Sequence, residues 1–420
     1  MILIAGAGIG GLTLALMLQA RNIPAQIFEA AETIRPLGVG INALPHSIRE
    51  LAALGLLPQL DAIGIRTRTL TYANHLGQTI WSEPRGLHAG NDAPQFSLHR
   101  GRLQALLWQA ATDRLPMPPQ PGHRLLDWTQ HETHLTARLQ RPDGTILEHR
   151  GTALIGADGI HSTIRNTLHP PRFAGDGGIR WNGIAMWRGA TDWPAFDTGD
   201  TMIIAGDATA KLVLYPIAPG TTPNTRLTNW VVYARIAPPG TTPPTRESWS
   251  RPGHYQDFQH LAERITLPFI DTQALIQATP EIFEYPMADR DPLPWWTKNR
   301  VTLLGDAAHP MYPVGSNGAS QAILDARCLA DLLATHPPQQ ALSTYEATRR
   351  PLTTEIVASN RIGGPERIID LIAARAPQGF TTIDDVAPKA EREAIVRGYA
   401  KLAGFAPPTL PDLLPNTPLL

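Results

Sequence analysis

Glycines at the ends of apolar runs are the residues of this 420-residue chain whose spacing can do chemistry. Gly6, Gly8 and Gly11 follow the apolar run at 2–5 and precede a helical pattern over 12–20. A second run, 25–28, ends at Glu29, 18 positions past the third glycine. A strand, a glycine turn and a helix start in that order aim unpaired N–H groups and a positive dipole end at one point. An anion belongs there. Gly6 makes the tight turn, Gly8 leaves room for a pyrophosphate, and Gly11 lets helix and strand approach closely. Glu29 would accept hydrogen bonds from ribose hydroxyls, and its charge suits FAD or NAD better than a 2′-phosphate.

Two more junctions of this kind lie far along the chain. The run at 153–157 meets Asp158 and Gly159, with a helix starting near Ser162. Val301–Leu304 ends at Gly305-Asp306, after which Pro310 and Pro313 hold the chain out of helix until about Ser316, while Gly315 and Gly318 let the backbone turn and come close to a ligand. Ala319, Ala322, Ile323, Ala326, Leu329 and Leu333 then recur at helical spacing. One extended dinucleotide touching several strand ends accounts for all three. Its pyrophosphate would sit on the first helix and its far ring near 313–318, with Asp306 at the ribityl or diphosphate portion. A flavin suits that far position, being anionic when reduced. Arg35, Gly38 and Val39 belong to a Gly-x-Gly segment suited to lying against a flat ligand. Arg100 opens a helix where it could meet a phosphate, and Arg102 is a second candidate.

Other chemistries find no footing. His131-Glu-Thr-His134 is not a zinc-protease motif, the 14 histidines are scattered, and no Gly-x-Ser-x-Gly occurs, so no metal site or serine nucleophile is expected. A net charge of −1 without a basic block argues against nucleic acid. The single cysteine, Cys328, excludes an intramolecular disulfide, reads as a core residue and fits a reducing compartment. No apolar run reaches the roughly 18 residues of a membrane span, and the first strand begins at residue 2, so the expectation is a cytoplasmic protein, monomer or homodimer.

The periodicities predict an α/β chain in which a Rossmann-like domain (1–70, 97–177, 290–350) carries an inserted, mostly antiparallel sheet domain (71–96, 178–289). Strands are expected at 180–191, 200–206, 211–217, 228–236 and 282–287, and a three-strand meander over 123–150. A C-terminal helical region and tail would fill 351–420, with a Pro- and Leu-rich end past Ala406.

The set Gly6-Ala-Gly-Ile-Gly-Gly11, Gly156-Ala-Asp-Gly-Ile-His-Ser162 and Gly305-Asp-Ala-Ala-His-Pro310 with Pro313–Gly318 resembles the FAD-dependent group A aromatic hydroxylases, the para-hydroxybenzoate hydroxylase fold. That resemblance covers roughly residues 1–350. It implies NADH or NADPH as a transient reductant without a second dinucleotide fold, and a flavin C4a-hydroperoxide that passes one oxygen atom of O2 to an electron-rich ring. Hydroxylation of an aromatic or heteroaromatic small molecule is the implied activity, with or without loss of a carboxylate. Epoxidation or inactivation of a polycyclic compound, or a flavin-binding sensor without turnover, are the alternatives. By the family's arrangement Pro313, Gly315, Ser316, Asn317 and Gly318 flank the flavin pyrimidine, and Arg100, Asp158, Gly159 and Asp306 serve the rest of the cofactor. Met186, Arg188, Tyr215, Trp230 and Tyr312 are the substrate-side candidates, with Pro313, Gly315, Tyr312 and Arg188 nearest the reacting atoms. Arg188 is favoured because its fork can pair a carboxylate. His309 reads as structural.

Overall fold

Apolar runs without alternation belong in sheets covered on both faces, and the four such runs at the glycine junctions pair with one another. In the computed structural model, which describes residues 1–34, 39–170, 178–241 and 251–406, they form one parallel sheet. Its order is Val301–Leu303, Ala153–Gly156, Ile2–Ala5, Ala25–Phe28. The register pairs Ala5 with Gly156 and Gly156 with Leu303. Three junctions separated by hundreds of residues therefore end side by side. Helices Ile9–Gln19, Arg100–Arg114 and Gly318–Thr335 cover the sheet, and their Leu, Ile and Ala side chains share its core. The meander is Arg124–Gln130, Leu135–Gln140 and Ile146–Gly151.

The second layer is a seven-stranded sheet, in the order Phe283–Arg290, Ile179–Pro194, Thr225–Arg235, Ala210–Pro219, Thr201–Gly206, Thr69–Asn74, Thr79–Pro84. All neighbours are antiparallel except Thr201–Gly206 beside Thr69–Asn74. Alternation sorts its side chains. Trp187, Leu212, Leu214, Trp230 and Val232 pack with Phe258, Leu261 and Leu275 of the covering helices. Met186, Val231, Tyr233, Tyr285 and Met287 point the other way, towards Tyr312 and Val314.

Four boundaries drawn from sequence fall inside elements, 289/290 within strand Phe283–Arg290 and 96/97 within strand Phe96–His99 among them. Residue 70/71 falls inside strand Thr69–Asn74, and 350/351 inside the continuous helix Pro338–Arg361. Strand Phe96–His99 pairs with Gly40–Ala43 and Gly64–Arg66 in a separate small sheet. Nor do the C-terminal helices stand apart: Ile368, Ile369, Ile372 and Val396 share a core with Leu70, Tyr72, Ile80 and Met202. Hydrophobic periodicity cannot reveal such a partner, because it shows which face is buried and not against what. The tail beyond 406 and much of the Pro-rich loop after Ala237 lie outside the described residues. No helix among the described residues is long and apolar enough to cross a membrane.

Candidate functional site

The ends of the parallel strands and the inner face of the seven-stranded sheet enclose a cleft of about 290 Å³. It runs from Gly8, through Arg100 and Asp306, to Tyr233 and Glu366.

At the first junction each glycine answers to a different constraint. Gly6 has φ +104°, and a Cβ there would stand 2.3 Å from the Ala157 carbonyl oxygen. On Gly11 a Cβ would meet the Gly6 carbonyl oxygen at 2.1 Å, so helix and strand touch only without it. A Cβ on Gly8 would meet nothing within 4 Å, because Gly8 opens onto the cleft. Glu29 lies behind this turn: its carboxylate accepts the Ala7 N–H at 2.8 Å and the Ala31 N–H at 2.9 Å. Asp158 likewise serves its own loop, accepting from the Ser162 hydroxyl at 2.5 Å and the Thr163 N–H at 2.8 Å. Burial nonetheless raises its pKa, against those hydrogen bonds. Gly159 lines the cleft.

Arg100 lines the cleft, and its N–H is held by the Val39 carbonyl at 2.9 Å. Burial lowers its pKa, and the Asp306 charge works the other way. Asp306 is solvent-accessible because it opens into the cleft, yet protein surrounds it; that burial raises its pKa, with His309 and Arg100 opposing. The turn carrying Asp306 is anchored by a group that sequence reasoning missed. Asp325, wholly buried, accepts from the Gly305 N–H at 3.1 Å, His309 Nε2 at 2.5 Å and Arg349 Nε at 2.7 Å. Burial would raise its pKa, but His309 and Arg349 prevail and hold it down to about 2. The available signal was an aspartate between Ile323 and Ala326, on the apolar face of its helix.

Pro313, Ser316, Asn317 and Gly318 line the cleft at the start of helix Gly318–Thr335. Gly315 has φ +70° and is backed by the Tyr399 ring, 2.4 Å from where a Cβ would be. Tyr399 donates to Asn360 Oδ1 at 2.9 Å. Arg35 and Gly38 lie outside the described residues.

On the sheet wall, Met186, Arg188, Tyr215 and Tyr312 line the cleft. Burial pushes the Tyr215 and Tyr312 hydroxyls up to about 12. Arg188 donates to the Tyr285 hydroxyl and to the Gly40 carbonyl, both at 2.5 Å, and its Nε has no partner among the described residues. Trp230 is a correction. It sits one residue out of phase with Val231 and Tyr233, on the far face of the sheet, where its indole donates to Thr279 at 2.8 Å. Glu366 is the second omission. It enters the cleft from the turn Gly364–Glu366, whose glycines and proline read only as a helix break.

Two helix N-termini, an empty approach over Gly8, and a basic and an acidic side chain between them fit a flavin dinucleotide. Residues 1–360 match the FAD binding domain family, and the chain belongs to it. It is an FAD-dependent oxidoreductase of the aromatic hydroxylase kind, with NAD(P)H as the family's usual reductant. Among its relatives, phenazine 1,6-dicarboxylic acid hydroxylase PhzS of Lysobacter antibioticus is 45% identical over 368 residues, covering 86% of this chain and 89% of that one. A 3-hydroxybenzoate 6-hydroxylase of Aquipseudomonas alcaligenes is 30% identical, covering 86% and 87%. The crystal structure of Klebsiella pneumoniae HpxO with FAD and uric acid shares the fold, with a TM-score of 0.72 at 21% identity over 97% of each chain.

Proposed function

We propose that this flavin monooxygenase hydroxylates a fused-ring heteroaromatic carboxylic acid, with or without loss of the carboxylate, and that Arg188 receives the acid. The observation that carries this reading is Arg188 itself, a residue 7% exposed whose guanidinium lies on the cleft wall with Met186 and Val231 beside it. An apolar slot with one cationic end fits a flat acid, whose carboxylate a guanidinium can take by two parallel bonds. The segments 81–86, 186–189 and 285–294 resemble 5-methylphenazine-1-carboxylate 1-monooxygenase, and the relative at 45% identity carries a phenazine acid in its name.

Gly8 and the first turn of helix Ile9–Gln19 would hold the pyrophosphate, and Glu29 would stand near the adenosine ribose. Arg100 and Asp306 would flank the chain joining phosphate to ring, and residues 313–318 would face the flavin pyrimidine. When bound, FAD supplies reduction by NAD(P)H and activation of O2. The chain's own part is positional. Met186, Tyr312 and Met287 keep the reacting ring dry, and the positive end of helix Gly318–Thr335 favours negative charge at the ring beside it.

Purified protein should be yellow, and phenazine-1-carboxylate should accelerate its NADH or NADPH oxidation while gaining one oxygen atom by mass. Phenazine without a carboxylate should stimulate far less. Equal stimulation by both compounds would remove Arg188 from its role, and no stimulation by either would remove the substrate class.

A further inference from the structure

The cleft has a second polar end, supplied by a residue beyond the 1–360 family match. In the antiparallel pair, Arg188 stands opposite Val231 and Met186 opposite Tyr233. Arg188 and Tyr233 are therefore diagonal neighbours on the cleft face, with Cα atoms about 7–8 Å apart, and apolar Met186 and Val231 complete the square. The Tyr233 hydroxyl donates to Glu366 Oε2, and burial raises the Glu366 pKa against that bond and the nearby Lys211 charge. Lys211, opposite Tyr233 on the next strand, puts its ammonium on Asp370 at 2.7 Å. Glu366 is 6% exposed and has no ion-pair partner among the described residues. A carboxylate offers about four acceptor positions, and the Tyr233 hydroxyl takes one of them on a side chain that lines the cleft.

We propose that Glu366 is a specificity-determining residue: it accepts a hydrogen bond from a ring hydroxyl or ring N–H at the substrate's end remote from the carboxylate. The inference rests on the reading that Arg188 takes that carboxylate. A buried acceptor left without its donor costs more than a missing apolar contact, so the end selects for the donor and against its absence. Its acidic character is not needed to hold the fold together at this point, because a glutamine could still accept from Tyr233.

The test uses the FAD-loaded enzyme and three probes sharing one carboxylate: phenazine-1-carboxylate, its 6-hydroxy derivative and its 6-methoxy derivative. The wild type should prefer the hydroxy acid over the methoxy acid by about tenfold or more in kcat/KM. In Glu366→Gln the side-chain amide turns a donor towards the cleft, so that preference should disappear or invert while FAD occupancy stays. An unchanged hydroxy-to-methoxy ratio in Glu366→Gln would overturn the proposal. If that variant does not hold FAD, Tyr233→Phe decides instead. It leaves the carboxylate in place and must keep the preference for the hydroxy acid, and its loss there would equally overturn the proposal. Because every probe carries the same carboxylate, the Arg188 contribution cancels in these ratios. A failure of the Arg188 reading would appear separately, as weak and equal use of phenazine and its 1-carboxylate.

Discussion

The two walls of the cleft are built by different means. The strand-end wall is backbone: Gly6, Gly8, Gly11 and Gly305 set it, and side chains such as Glu29, Asp158 and Asp325 tie each turn to its own scaffold. The sheet wall is side chain: Met186, Arg188, Tyr215 and Tyr233 alternate out of long strands, and Glu366 joins them from about 130 residues further on than Tyr233. A backbone wall binds what does not vary, a cofactor. A side-chain wall can be retuned one residue at a time, which is what substrate choice requires. The comparison is broken if changes in one wall move the property assigned to the other.

The largest effect is expected at Gly11. With the Gly6 oxygen 2.1 Å from its Cβ position, Gly11→Val should prevent folding, read as loss of soluble protein with native circular dichroism. Asp325→Asn comes next. It leaves Arg349 buried without its charge partner, a change worth about 3–5 kcal/mol, and should lower the Tm by several degrees. The pH dependence gives its sign. Asp325 is held near 2 in the folded chain, below its ordinary value of 3.8, so its stabilisation is complete above roughly pH 4 and drains away as pH falls towards 2. The variant should lack that part of the acid limb; an identical limb in both proteins would contradict the assignment. Gly8→Val should fold normally, since its Cβ meets nothing, yet bind FAD about 100-fold more weakly by fluorescence titration. Full FAD occupancy there would break the division between the walls.

Legibility followed the same line. The parallel strands, the glycine turns and the helix starts are local patterns, each carried by ten to twenty adjacent residues, and the sequence displays them directly. The strands of the second sheet were legible for the same reason. What the chain did not display were meetings between distant residues. Alternation could have separated Trp230 from Tyr233, but only once the strand's inward face was known. Glu366 follows Gly363-Gly-Pro365, where punctuation hid the one side chain with a polar task. Asp325 was visible as a charge on an apolar helix face, yet its partners His309 and Arg349 lie 16 and 24 residues away, on either side of it. Backbone geometry is written next to itself; side-chain networks are written in pieces.

The smallest predicted effect bears most directly on the sheet wall. Arg188→Lys keeps a positive charge but replaces a planar fork with a point charge that cannot serve Tyr285, Gly40 and a carboxylate together. The KM for phenazine-1-carboxylate should rise by roughly tenfold, with kcat changed less and FAD content unchanged. If the arginine only braces the Gly40 strand against the sheet, the variant should weaken phenazine and its carboxylate alike, because a shifted strand harms any flat ligand. If it reads the acid, the loss falls on the carboxylate alone. Loss of FAD from Arg188→Lys would be the more serious result, since the sheet wall would then be helping to hold the cofactor, and the separation between the two walls would no longer describe this cleft.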